Sequence, residues 1–316
     1  MKDKLGRRKR HVPQSTGKRV TPQERDVLWF QKLLEHGPLP SSFLLAYAQG
    51  SHKSEKRAKE RLTDLFNEKN TPDDGTYLSR PPLQFRTFNA GYNQLVYDVT
   101  KHSLKALDRT RIDSLAGNAN AGPWLHRHMV ACITASIELA TLDRDDVSYI
   151  SQQQILKRAD TELRAETTIT EPSGAYYTKN LLPDALFGLQ YHISDGDRFR
   201  FFVVEADRST EPATSRNFNR KSLLRTLLQY QDYIDNGLYR EHLGLTSPLL
   251  VLNVVKDEKR LDQLLRLTSQ EIGDGCSYQL FQAWDAFGEI FVPPQPNLEL
   301  LEHAWQRAGN DPLVIG

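Results

Sequence analysis

Cysteine is scarce in this sequence: its 316 residues include two, Cys132 and Cys276, which lie far apart. Two such cysteines exclude a four-cysteine zinc site, argue against a secreted disulfide framework, and favour free thiols in a reducing compartment. With 18 glycines, 16 prolines and 39% hydrophobic residues, the composition is also unlike that of a disordered or fibrous chain. The length predicts roughly two globular domains, each with its own core.

Long apolar runs are missing as well. No stretch approaches the roughly 18–20 apolar residues that cross a bilayer. No apolar run follows the basic residues 1–20, as one does in a secretory signal. We therefore expect a soluble, cytoplasmic protein that makes no membrane contact.

A large excess of charge of one sign is absent overall, because the formal net charge is +1, but the charges are unevenly distributed. Residues 1–111 hold 22 Lys and Arg against 12 Asp and Glu, and the remainder holds 19 against 28. A basic part followed by an acidic part predicts that the first contacts a polyanion, and double-stranded DNA is the partner we expect. A solvated lysine-rich surface without a ligand is the alternative.

Residues 1–20 have no apolar period, and Gly, Pro, Ser and Thr are interspersed among their cations. We predict a disordered basic arm, which is able to follow phosphates or to enter a minor groove. A solubilising tail is the alternative. The candidate DNA-binding residues of the arm are Arg7, Arg8, Lys9 and Arg10.

Residues 21–111 are predicted to form a winged-helix DNA-binding domain. Apolar spacing predicts helices at about 21–36, 43–47 and 54–67, the third basic at its start. Strand-like segments at 76–80 and 84–88 indicate a wing, and 95–100 indicate a further strand. A helical packing module without nucleic acid is the alternative. The candidate DNA-binding residues are Lys53, Lys56, Arg57, Lys59 and Arg61 on the third helix, and Arg80 on the wing.

The rest of the chain is divided into a linker and connecting helix over 112–145, an α/β domain over 146–290, and a tail with a short helix over 291–316. Within 146–290 we predict a mixed sheet with helices on its faces, and therefore an α/β (overall α+β) fold. The predicted order is a helix at 150–166, strands at 181–189 and 198–207, a helix at 221–236, a strand at 248–255, a helix at 257–270 and a strand at 277–284.

Three carboxylates are predicted to converge at one end of the first hairpin of this domain. Glu205 and Asp207 share one side of their strand, and Asp184 precedes the neighbouring strand. Like charges packed so closely need a proton or a cation, and hard oxygen ligands suit Mg²⁺ or Mn²⁺, which activate water for phosphodiester cleavage. Salt bridges to Arg208, Arg216 or Lys221 are the alternative.

Pro183-Asp184 at a strand start and Glu205-Ala206-Asp207 at a strand end resemble the core motif of restriction-endonuclease-like nucleases. Gln229-Tyr-Gln-Asp-Tyr233 resembles the Gln-X-X-X-Tyr signature of some of those enzymes. The motif's Lys is replaced here by Asp207, so another cation, Lys221 or Arg216, would have to approach to orient water and stabilise charge. Glu162 and Glu166 are candidates for a further acid on an early helix.

Over residues 22–285 the chain resembles the replication-relaxation family of bacterial mobile elements. The resemblance rests on Tyr97-Asp98-Val99-Thr100, on a histidine at the start of a helix, which is His126 or His128, on Pro183-Asp184-Ala185, and above all on Glu205-Ala206-Asp207-Arg208-Ser209-Thr210-Glu211. It implies a winged helix followed by a restriction-endonuclease-like domain. It also implies a role in plasmid or element replication, relaxation or mobilisation.

We therefore predict a DNA-binding protein of a mobile element, with a relaxase or replication proteins, or a second copy of the chain, as further partners. Whether it is an enzyme stays open. One alternative is a metal-dependent endonuclease or nickase that uses Asp184, Glu205, Asp207 and Lys221, with Asp184, Glu205 and Asp207 binding the metal. The other is a dimeric winged-helix transcriptional regulator.

Overall fold

The computed structural model of the protein describes residues 6, 9–71, 73–85, 94–107, 123–170, 176–215, 219–287 and 291–316. The chain divides into two compact units, Met1–Leu139 with Gly288–Pro296, and Ala140–Phe287 with Asn297–Gly316. Most of the predicted connecting helix therefore belongs to the first unit. The linker predicted before that helix, residues 112–122, lies outside the described residues.

The first unit begins with three helices and a small sheet. The helices are α1 (Glu24–His36), α2 (Ser41–Tyr47) and α3 (Glu55–Asn67), and the strands are β1 (Leu39–Pro40), β2 (Leu78–Ser79) and β3 (Val96–Val99). The strands are antiparallel in the order β1-β3-β2. This order of helices and strands fits a winged helix. Two further helices follow, α4 (Lys101–Ala106) and α5 (Trp124–Thr141).

Local sequence explains where these helices begin and end. A capping box between Gln23 and Asp26 opens α1, and Gly37 ends it with a φ of 114°, a conformation that favours glycine. The Ser54 hydroxyl accepts a hydrogen bond from the Arg57 backbone at the start of α3. Helix α3 buries one face at helical spacing, made of Ala58, Leu62, Leu65 and Phe66.

The predicted wing strand at 84–88 is wrong where the structure describes it, because residues Pro82–Phe85 form a short 3-10 helix. The side chain of Gln84 pairs with the backbone of Val96, accepting from its N–H and donating to its C=O at 2.9 Å each. A side chain thus satisfies backbone groups that a neighbouring strand would otherwise pair. The strand that pairs with β2 is β3, which was predicted as a further strand.

The predicted disordered arm is also corrected for its described part. Residues 14–20 lie against the C-terminal end of α3, where the backbone N–H of Gln14 donates to the Asn67 side chain and that of Val20 donates to the Lys69 carbonyl. Val20 is buried. Arg7 and Arg8 lie outside the described residues.

The second unit contains a seven-stranded sheet in the order β12-β11-β10-β9-β8-β7-β4. Strands β8, β9 and β10 are mutually parallel, and the other neighbouring pairs are antiparallel. The strands are β4 (Val147–Ile150), β7 (Ala185–Ile193), β8 (Gly196–Asp207), β9 (Leu249–Val255), β10 (Gln279–Ala283), β11 (Trp305–Arg307) and β12 (Asn310–Leu313).

The remaining elements of this unit are helices and a separate hairpin. The helices are α6 (Gln152–Ala159), α7 (Leu223–Asp235), α8 (Leu238–Leu243), α9 (Glu258–Glu271) and α10 (Glu299–Glu302), and the hairpin is β5 (Ala165–Thr170) with β6 (Tyr176–Leu181). One core cluster includes Val203, Val251 and Tyr230, and another includes Leu227, Val255 and Phe281. These elements confirm the predicted α/β class.

Two predicted elements of this unit differ from the structure. The helix predicted at 150–166 ends early, because Asp160 adopts a left-handed conformation (φ 51°, ψ 46°), and β5 follows it. The predicted terminal helix is the single turn α10, after which β11 and β12 extend the sheet beyond β10. Trp305 in β11 is fully buried, which shows why this segment packs rather than trails as a tail.

In the parts of the chain that the structure describes, every helix is too short or too polar to cross a membrane.

Candidate carboxylate site and candidate nucleic-acid interface

Asp184 and Glu205 are brought together by the antiparallel pairing of β7 with β8. Ala185 pairs with Val204, so Asp184 lies beside the end of β8. The Asp184 backbone N–H donates to the Val204 carbonyl at 3.1 Å. Its carboxylate accepts from the Ala206 N–H at 2.8 Å. These backbone bonds fix the Asp184 side chain next to Glu205.

Glu205 shares a short hydrogen bond with a tyrosine on α7. The Tyr230 hydroxyl donates to Glu205 Oε1 at 2.5 Å. Burial and the negative charge of Asp184 raise the pKa of Glu205 well above its usual value, and Lys221 opposes this effect. Burial and the charge of Glu205 likewise raise the pKa of Tyr230. The phenol is therefore a hydrogen-bond donor to Glu205 and a poor nucleophile.

Asp207 is held by an arginine on α9. Arg260 Nε donates to Asp207 Oδ2 at 2.5 Å, and the Ser209 backbone N–H donates to Oδ1 at 2.7 Å. The same guanidinium donates to the Glu211 carbonyl at 2.8 Å. The side chains of Asp207 and Arg260 are 8% and 10% exposed. Both carboxylate oxygens of Asp207 are thus engaged in bonds within the protein.

The structure therefore differs from the predicted convergence of three carboxylates. Asp184, Glu205 and Asp207 do not bring one oxygen each within 4.8 Å of one another. Glu205 and Asp207 share one side of β8 as predicted, but they contact different helices, α7 and α9. The pair left to bind a divalent ion is Asp184 with Glu205, whose oxygens are of the type that Mg²⁺ and Mn²⁺ prefer.

Lys221 lies close enough to this pair to affect its electrostatics. Its ammonium group is 3.0 Å from Glu211 Oε1. Partial burial lowers the pKa of Lys221, but the charges of Glu205, Glu211 and Asp184 outweigh burial and raise it. Lys221 was predicted as a site residue, whereas Glu211 was named only as the last residue of the string Glu205–Glu211. Arg216 lies outside the described residues.

The Gln-X-X-X-Tyr signature does not supply the contact to Glu205. Gln229 donates to the Thr167 hydroxyl at 3.0 Å, and the Tyr233 hydroxyl bonds to His242 Nδ1 at 2.6 Å. Tyr230, which lies between them in sequence, faces Glu205. Glu162 and Glu166 are exposed, and neither is among the charges that shift the pKa of Glu205.

The candidate nucleic-acid interface is the exposed side of α3. Lys53, Lys56, Arg57 and Lys59 are all exposed. Arg57 pairs with Glu60 at 2.8 Å and Lys59 with Glu55 at 2.5 Å, while Lys53 and Lys56 form no ion pair with any described residue. Exposed pairs of this kind contribute about 0–1 kcal/mol, so a phosphate is able to compete for these cations.

Arg61 and Arg80, in contrast, have partners inside the first unit. Arg61 bonds to both oxygens of Asp26, which is fully buried, and also to the Thr21 carbonyl. Arg80 is 8% exposed, lies 3.9 Å from the centre of the Phe66 ring and donates to the Tyr97 hydroxyl at 2.9 Å. The geometry gives these two arginines internal roles that a count of cations could not reveal.

A buried polar cluster outside both sites has the spacing of a metal centre. One ligand atom each from Glu35, His36 and Glu138 lies within 4.8 Å of the others. The Lys32 ammonium bonds to both glutamates, however, and both ring nitrogens of His36 are engaged, with Thr134 and with Glu138 or Tyr47. Burial raises the pKa of Glu138, but His36 and Lys32 outweigh burial and lower it to about 2. The cluster is an ion-pair network that joins α1, α2 and α5.

These features define a two-unit protein whose first unit fits a winged helix and whose second is a mixed α/β sheet with a carboxylate pair at one strand end. The replication-relaxation family matches residues 30–249, and the chain belongs to this family. The matched range includes α3, Asp184, Glu205 and Tyr230. Membership suggests a role in the replication or relaxation of mobile elements, with DNA or the replication machinery. No curated protein and no solved structure matches the chain.

Proposed function

We propose that the chain binds double-stranded DNA through its first unit during replication or relaxation of a bacterial mobile element. The observation that carries this proposal is the group of exposed cations at the start of α3. Lys56, Arg57 and Lys59 are exposed there, next to Glu55 and Glu60, while Ala58 and Leu62 are buried. A helix that buries one face in a winged helix and exposes cations on the other is suited to enter a major groove.

The salt dependence of DNA affinity tests this proposal. Each phosphate that a protein neutralises contributes about −0.9 to the slope of log K against log salt concentration. Joint Lys56→Ala and Lys59→Ala substitution in the full chain should weaken binding of duplexes of different sequence alike and flatten this slope by roughly 1.8. Fluorescence anisotropy with a labelled duplex measures both quantities.

A matched control removes two exposed cations from the second unit, Lys157 and Arg158 on α6. The joint Lys157→Ala and Arg158→Ala variant has the same net charge as the α3 variant, and its slope should equal that of the wild type. Equal flattening in both variants would indicate a general charge effect. A wild-type chain that ignores every duplex at low ionic strength would refute the proposal.

A second candidate function, metal-dependent nicking or cleavage of DNA, is favoured by one observation, the buried pairing of Asp184 with Glu205 at the end of β8, with which Lys221 interacts electrostatically. Asp184 and Glu205 would hold one Mg²⁺ or Mn²⁺ ion, which would supply Lewis-acid polarisation of a phosphodiester and an activated water. Burial and the charge of Asp184 raise the pKa of Glu205, so this site favours a proton or a cation over a bare carboxylate. Lys221 would stabilise negative charge on the phosphate.

Supercoiled plasmid incubated with Mg²⁺ or Mn²⁺ separates the two candidates. Nicking by the wild type and by a Glu166→Gln control, but not by Glu205→Gln, would establish the enzyme. If the wild type nicks the plasmid no more than Glu205→Gln does, the enzymatic function is refuted and the DNA-binding proposal is unaffected. The relaxase partner, the homodimer and the transcriptional regulator stay predictions.

A further inference from the structure

Residues 9–20 follow a defined path across the first unit. The backbone N–H of Val20 donates to the Lys69 carbonyl at 3.0 Å, and Arg19 pairs with Lys69 as in a parallel strand. Lys18 forms an ion pair with Asp64 on α3. Further toward the N-terminus, the Arg10 guanidinium lies 5.6 Å from the centre of the Phe85 ring. The segment therefore runs from the end of α3 to the 3-10 helix that follows β2.

Glu68, directly after α3, is the strongest anchor of this segment. It is 2% exposed. The Ser15 hydroxyl donates to its Oε2 at 2.6 Å, and the Thr16 hydroxyl and backbone N–H both donate to its Oε1 at 2.8 Å. A buried carboxylate needs such donors, because burial without them costs much of its solvation energy. The pairing thus fixes the segment to α3 rather than leaving it free.

We propose that Glu68 is a positioning residue for DNA binding, which holds Lys9, Arg10, Lys18 and Arg19 in a preformed arrangement at the C-terminal end of α3. This inference rests on the proposed DNA-binding function and deepens it. A segment that is already ordered does not lose its conformational freedom when DNA binds, and preorganisation of this kind increases affinity. The carboxylate therefore promotes binding of a polyanion, although its own charge repels one.

Two substitutions that remove the same charge should act in opposite directions. Simple electrostatics predicts that loss of an acid from this unit strengthens DNA binding. Glu60→Ala removes an exposed acid of α3 and should leave affinity unchanged or raise it. Glu68→Ala should instead weaken binding about tenfold, as expected when several rotamer-rich side chains must be ordered anew. Glu68→Gln retains an acceptor for Thr16 and should restore much of the affinity.

The test uses the full chain, with duplex DNA titrated at one salt concentration. Joint substitution of Lys9 and Arg10 by alanine should weaken binding in the wild-type background and have a much smaller effect in the Glu68→Ala background. Additive losses would overturn the inference, as would a Glu68→Ala affinity equal to or above that of the wild type. Far-UV circular dichroism and the midpoint of thermal unfolding verify that each variant is folded.

A second readout does not depend on DNA. Trypsin cleaves after lysine and arginine, so release of the segment should speed cleavage after Arg10 and Lys18 in Glu68→Ala but not in Glu60→Ala. Unchanged cleavage would overturn the anchoring itself. If cleavage accelerates but the wild type ignores duplex DNA at low ionic strength, the anchor stands as a structural feature, and both the proposed function and the positioning role are refuted.

Discussion

Two neighbouring carboxylates of β8 should respond to neutralisation with opposite signs. Asp207→Asn removes the charged partner of Arg260, whereas Glu205→Gln removes a charge that its surroundings disfavour. Both substitutions keep side-chain size and lie two residues apart in one strand. A comparison of the free energies of unfolding of the two variants therefore distinguishes a carboxylate that stabilises the fold through an ion pair from one whose charge destabilises it.

The loss of stability expected for Asp207→Asn depends on the groups that the substitution leaves without a charged partner. The substitution replaces a charged acceptor at 2.5 Å with a neutral amide and leaves the Arg260 guanidinium, 10% exposed, without a counter-ion. Removal of one partner from a buried ion pair costs about 3–5 kcal/mol. Because the amide oxygen of asparagine is still able to accept from Arg260 or Ser209, we expect a loss near the lower end, about 3 kcal/mol.

Glu205→Gln should stabilise the second unit at neutral pH, by about 1 kcal/mol. The Gln oxygen still accepts from the Tyr230 hydroxyl, while the charge that burial and Asp184 disfavour is gone. The pH dependence of stability provides an independent test of whether the charge of Glu205 destabilises the fold. The folded-state pKa of Glu205 lies above its usual 4.5, so the folded state retains the proton longer. Wild-type stability should therefore fall as pH rises above about 4.5, and Glu205→Gln should remove that fall.

Hydrogen exchange measured on β8 and β9 peptides reports the stability of the second unit without interference from the first. We would compare wild type, Asp207→Asn and Glu205→Gln at pH 5 and pH 8. The Glu205→Gln advantage should be larger at pH 8. A neutral Asp207→Asn, or a Glu205→Gln that loses more than about 1 kcal/mol at pH 8, would refute the assignment of roles.

Two further predictions concern the first unit. The pKa of Glu138 is about 2 in the folded state against a usual 4.5, a difference that corresponds to roughly 3 kcal/mol of stability. This stabilisation should be present above about pH 4.5 and lost as pH falls toward 2. Acid titration followed by circular dichroism should show the loss in the wild type but not in Glu138→Gln. Arg80→Ala should lower stability by about 2 kcal/mol without changing the salt slope of DNA binding, because the buried Arg80 guanidinium packs on the rings of Phe66 and Tyr97. Arg57→Ala should leave stability nearly unchanged and flatten the salt slope by about 0.9. Equal effects of the two variants on stability and slope would contradict the division between internal and exposed arginines.

Much of the fold could be predicted because its elements carry local signals. Helices α3, α7 and α9 each have a side-chain cap at their first turn and a buried apolar face, and both are visible as sequence patterns. Strands β8 and β9 contain apolar runs. The prediction failed where a tertiary contact decides the structure, as in the Gln84 side chain that pairs with the backbone of Val96.

In the candidate site, too, residues with a local sequence signal were predicted and residues placed by tertiary contacts were not. Proline before Asp184 and the spacing of Glu205 in its strand marked two members of the carboxylate pair. The Asp207–Arg260 pair joins residues 53 positions apart, and nothing in local spacing could identify it. Tyr230 was overlooked because the Gln-X-X-X-Tyr signature directs attention to Gln229 and Tyr233. The apolar period of α7 offered a signal, because it places Tyr230 on the same buried face as Leu227.

The two carboxylates at the end of β8 have partners of different chemistry. A guanidinium compensates the charge of Asp207 in a direct ion pair. A phenol donates a hydrogen bond to Glu205 but carries no positive charge, and Lys221 has Glu211 as its direct partner. Glu205 therefore lacks the direct cationic partner that Asp207 has. If Glu205→Gln stabilises the domain as expected, the carboxylate next to Asp184 costs stability, as residues used for binding or chemistry often do.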